Sequence, residues 1–66
     1  SSMPELAVHL WIDDRSDVVT YTVDGDLKRP GEAVRKAQER AAEDGHEDVN
    51  LKTVELAESA GVSPRA

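Results

Sequence analysis

Apolar and polar positions alternate along the stretch "ELAVHLWID". Leu6, Val8, Leu10 and Ile12 fall on one side, and Ala7, His9 and Trp11 on the other. A period of two is the signature of a strand with one buried face. "DDRSD" follows, a group whose Asp and Ser side chains bond nearby backbone and favour a turn. "VVTYTV" comes next, β-branched and aromatic, with Val19, Tyr21 and Val23 on one face and Val18, Thr20 and Thr22 on the other. Two such runs joined by a short polar loop predict an antiparallel hairpin. "DGD" at 24–26 ends the second run, and Gly25 is expected to supply a positive φ there.

Beyond Pro30 the period changes. Ala33, Val34, Ala37 and Ala41 make a stripe at helical spacing, with Ala42 at its margin. Pro30 suits a helix start, and Gly45 suits the position after a helix end. Ion pairs are expected from Glu32 to Lys36 and between Arg35 and Glu39. The run "EDVNLKTVELAES" reads two ways. As a strand over 48–56, Val49 and Leu51 share one face and Val54 and Leu56 the other, so a bulge near Lys52 or Thr53 is needed. As a helix, Val54, Ala57 and Gly61 align. The strand is favoured.

These elements predict an α+β fold, a small ββαβ unit. Its three-stranded sheet has the order 2-1-3, and one helix covers one face. Leu6, Val8, Leu10 and Ile12 face that helix. The other face presents Ala7, His9 and Trp11, with Thr20 and Thr22 beside them. A single domain is expected over 3–60, with residues 1–2 an expression scar before Met3 and 61–66 a flexible tail.

Composition sharpens the expectation of assembly. The chain has 66 residues and no cysteine, so neither a disulfide nor a thiolate metal site can support it. Its apolar fraction is 38%, rich in small side chains, and Trp11 and Tyr21 are the only aromatics. A domain this small buries only about 60% of its unfolded surface. A homodimer or higher assembly through the open sheet face or an edge strand is therefore expected. "LAVHLWI" is too short to span a bilayer, so a soluble cytoplasmic protein with no membrane contact is expected.

Fourteen acidic against eight basic residues give a formal charge of -6, which disfavours nucleic acid. Even so, Lys28, Arg29, Arg35, Lys36 and Arg40 cluster within 28–40 and are candidate phosphate contacts. Glu32 and Glu39 interleave with them, which favours a self-paired helix face. The acidic turns lack the spacing and closing Glu of a calcium loop. His9 and His46 have no second ligand at metal spacing, and no cofactor fingerprint or catalytic motif is found, so neither an enzyme nor a cofactor is expected.

"TVELAESAGVSPRA", over 53–66, resembles the first half of the helix-turn-helix of bacterial regulators. The resemblance implies Leu56 and Ala57 packed in a first helix, Gly61 at the turn, Val62 in the core, and Ser63 and Pro64 opening a recognition helix. It covers 14 of 66 residues. The expected role is a binding or scaffold module, for a protein or for a small ligand between subunits. Trp11, His9, Ala7, Thr20 and Thr22 form its surface. The alternative is a nucleic-acid-binding protein using the 28–40 segment or the 53–66 motif.

Overall fold

The computed structural model describes residues 4–61. The expectations for residues 1–3 and 62–66 lie outside the described residues. The order is β1 (Glu5–Ile12), β2 (Asp17–Asp24), α1 (Gly31–Glu43) and β3 (Asn50–Leu56). The sheet order is β2-β1-β3, and β1 is antiparallel to both neighbours. The ββαβ architecture read from the alternation is the one observed.

Leu6, Val8 and Leu10 of β1 each have two apolar partners across the sheet. Leu6 stands opposite Val23 and Leu56, Val8 opposite Tyr21 and Val54, and Leu10 opposite Val19 and Leu51. Leu6, Val8 and Leu10 are fully buried, and so are Ala33, Ala37 and Ala41 of α1. The helical stripe is narrower than its sequence suggests, for Val34 is half-buried and Ala42 exposed. Alanine contributes little burial, but it lets the helix lie close to the sheet. That closeness explains Gly25. Its φ is not positive, contrary to the turn expectation; the positive-φ glycines are Gly45 and Gly61. A Cβ at Gly25 would instead stand 2.9 Å from the Ala33 Cβ and 3.0 Å from the Leu6 Cδ1. Gly25 is required by close approach, not by its dihedral.

The third strand settles the ambiguous stretch. Thr53 pairs with His9 and Leu51 with Leu10, so Lys52 is the extra residue of a bulge. The bulge returns Leu51 to the face of Val54 and Leu56, as the slip in alternation required. Residues 53–56 are extended and paired, so the first helix of a helix-turn-helix is not formed there. Residues 57–61 turn, with the Ala57 N–H donating to the Glu5 carbonyl at 3.0 Å.

Turns carry the backbone's strained positions. Asp13, Asp14 and Arg15 have φ of 51°, 57° and 68°. This loop is held by the Asp13 N–H on the Glu47 carbonyl at 2.9 Å and by the Ser16 hydroxyl on the Asp13 carbonyl at 2.7 Å. The helix ends on Gly45 at φ 88°, with N–H donors of Gly45 and His46 on the carbonyls of Ala42 and Ala41, both at 3.0 Å. This paired closure satisfies carbonyls that the helix end leaves free. Gly45→Ala is expected to cost about 1 kcal/mol through the left-handed backbone alone. Urea unfolding would show it as a lower midpoint with an unchanged slope. No described helix is long and apolar enough to cross a membrane.

Candidate functional site

The face of the sheet away from α1 has no element over it among the described residues. Its geometry follows from strand order. His9 on the central strand stands directly opposite Thr20 on β2 and Thr53 on β3. The His9 Nδ1 lies 2.7 Å from the Thr20 Oγ1, and its Nε2 lies 2.8 Å from the Glu55 Oε2. Glu55 is paired with Ala7, whose methyl leaves room for the longer side chain to lean towards His9. An ionised carboxylate only accepts, so the neutral ring keeps its proton on Nε2 and Nδ1 accepts from the Thr20 hydroxyl. Three side chains from three strands thus form one directed hydrogen-bond line. The His9 side chain is 17% exposed and that of Glu55 41% exposed.

Trp11 continues the face. It stands opposite Val18 and Asn50, and the Lys52 Nζ lies 5.5 Å from its ring centroid. The bulge puts Lys52 on this side, where the ring and the ammonium attract each other. Ala7, expected as part of this surface, is fully buried beneath its neighbours and offers no contact area. Thr20 is exposed and Thr22 half-buried. Of the expected group, the structure therefore brings His9, Trp11, Thr20 and Thr22 to the surface together, with Thr20 the most open and Ala7 excluded. Glu55 and Lys52 join them, and no local sequence pattern singles those two out. Among the described residues no group of three potential metal ligands is formed.

The basic residues of 28–40 lie ahead of α1 and along it. Arg35 is bound on both sides, by Glu32 and by Glu39, so Glu32 pairs with Arg35 rather than with Lys36. Arg35 holds the Glu32 carboxyl below the usual carboxylate range, by its hydrogen bond first and its charge second. That stabilisation is complete above the ordinary carboxylate range and is lost as pH falls through the depressed value. Both groups are solvent-exposed, so the effect is small. Arg40 lies over the Tyr21 ring, 5.1 Å from its centroid, and donates to the Thr22 carbonyl at 3.0 Å. The Tyr21 hydroxyl donates to Asp44 at 2.6 Å, and partial burial, then this contact, raises its pKa. Ahead of the helix, the Arg29 backbone N–H donates to the Asp26 carbonyl and that of Lys28 to the Asp26 side chain. Lys36 and Arg40 share an open groove of about 440 Å³ with Glu5, Asp24, Glu39 and Glu43. Four carboxylates against two cations make that groove a poor phosphate site.

No family model, curated protein or solved structure matches the chain.

Proposed function

We propose that the protein is a small binding module that assembles with a second copy of itself through β3. One observation carries the reading. The helix lies over β2 and β1 and barely reaches β3, so Leu51 stays 46% exposed on the core side of an edge strand. Val49, Val54 and Leu56 beside it are only partly buried. The sequence of this edge is complementary to itself. Placing Val54 of one copy opposite Val54 of the other sets Leu56 against Leu51 across the bulge, apolar on apolar. The same register sets Thr53 beside Glu55, with Lys52 diagonal to it, on the opposite face. A two-fold pairing of this kind gives a six-stranded sheet whose helices lie on one side. Its uncovered face then doubles, with two sets of Trp11, His9 and Thr20 available to a ligand or partner.

Half of the Leu51 side chain remains to be buried, worth about 1 kcal/mol in each copy. Leu51→Lys is expected to weaken association about 30-fold, since the loss counts twice in a symmetric pair. Sedimentation velocity from low micromolar to millimolar protein measures it. A wild-type chain that stays monomeric throughout that range would remove the proposal. The nucleic-acid alternative has less support, because Arg35 and Arg40 are committed to partners within the chain.

A further inference from the structure

The line of Thr20, His9 and Glu55 has more order than a binding surface needs. A nucleophile, a base and an orienting carboxylate in hydrogen-bond sequence are the parts of an acyl-transfer relay. We propose that the helix-free face is an acyl-acceptor site, with Thr20 as nucleophile, His9 as general base and Glu55 as positioning residue. Its substrate class is the activated ester.

Four observations support the assignment. The Thr20 Oγ1 is within 2.7 Å of the ring nitrogen that must receive its proton. The other ring nitrogen is held by Glu55 at 2.8 Å, which fixes both tautomer and ring orientation. Thr20 is exposed while the His9 side chain is only 17% exposed, so the nucleophile is accessible and the base partly shielded. Trp11 and Val18, paired with each other two residues along on the same face, flank the pair with an apolar ledge for an acyl or aryl group.

In the acylation step the Thr20 Oγ1 attacks the ester carbonyl and its proton moves to the His9 Nδ1. The carbon–oxygen bond to the leaving group breaks, and that group departs with the electron pair. Glu55 accepts a hydrogen bond from Nε2 throughout and stabilises the imidazolium. The His9 proton then passes to solvent. Water attacks the Thr20 ester as its proton moves to the His9 Nδ1, and that proton returns to the Thr20 Oγ1 as the ester carbon–oxygen bond breaks and the acid is released. Magnitudes restrict the substrate. A positioned general base contributes about 10²–10⁴ in rate. The α1 N-terminus lies across the sheet from this face, and an oxyanion site lacking one such donor forgoes about 10²–10³. Esters with good leaving groups fall within that range; amides do not.

The test uses p-nitrophenyl acetate on the full chain, with p-nitrophenolate release followed by absorbance and the adduct located by peptide mass mapping. The expected result is an acetyl group on Thr20. Thr20→Val, which keeps the branched strand side chain, is expected to lose that adduct and slow release about tenfold or more. Glu55→Gln is expected to slow release and to displace its pH profile, which a purely structural role would not do. His46→Ala serves as the control and is expected to release at the wild-type rate. Release by Thr20→Val at the wild-type rate, or acetylation confined to lysine or histidine, would overturn the assignment. Circular dichroism of each variant confirms that the sheet is intact, so a lost adduct reports on chemistry rather than on folding.

Discussion

Leu10→Ala is expected to leave most of the protein unfolded at 37 °C. Leu10 is fully buried at the centre of the sheet, between Val19 and Leu51 in neighbouring strands. Replacing a buried Leu with Ala costs about 3–5 kcal/mol, from lost transfer energy and from the cavity left behind. A chain of this length has about 3–10 kcal/mol of stability in all. The surroundings cannot close the cavity easily, because the fully buried residues of the helix above are all alanines and the helix already lies close to the sheet. Far-UV circular dichroism against temperature would show a melting point lower by well over 10 °C, about 4–8 °C for each kcal/mol in a domain this small. A loss of less than about 1 kcal/mol would mean that Leu10 does not lie in a tightly packed centre.

The weight that falls on one Leu is legible in the amino-acid sequence itself. The alternation in 5–12 and 18–23 assigns the buried faces of β1 and β2 by parity alone. The parity slip between Leu51 and Val54 calls for a bulge near Lys52 or Thr53, and the pairing with β1 puts it at Lys52. Distances across elements are not written in such patterns. Glu55 is 46 residues from His9 and meets it only because β3 lies beside β1. No local spacing encodes that. Gly25 shows the same limit. A glycine after a strand reads as a turn with positive φ, yet its need comes from Ala33, in a different element. The position of the helix is equally illegible. An alanine stripe says that a helix packs closely, not which two of three strands it covers, and the exposure of Leu51 follows from that choice. Arg40 and Tyr21 make the point for charge. A basic residue in a cluster reads as available until the Thr22 carbonyl and the Tyr21 ring engage it.

Gly25→Ala is expected to destabilise the fold by about 2–3 kcal/mol, the upper part of the range for overpacking one methyl. The residue is buried, and the two atoms a Cβ would meet differ in how they can respond. The Leu6 Cδ1, at 3.0 Å, is the end of a flexible side chain and can rotate. The Ala33 Cβ, at 2.9 Å, is fixed to the helix backbone, so the first turn of α1 must move away from the sheet. Moving it loosens Ala37 and Ala41 as well, since one rigid helix carries all three. The cause can be isolated by removing the obstructing methyl. Ala33→Gly alone is expected to cost about 1 kcal/mol in helix propensity. Combined with Gly25→Ala it returns the contact to ordinary van der Waals range, because one methyl is then exchanged for another across the same gap. The double variant is expected to be more stable than Gly25→Ala alone, with a coupling of about 1–2 kcal/mol in the double-mutant cycle. Urea unfolding of the four proteins measures it. Additive losses would place the strain at Leu6 or in the backbone of Gly25, and would reject the close approach of helix and strand as the reason glycine is needed there.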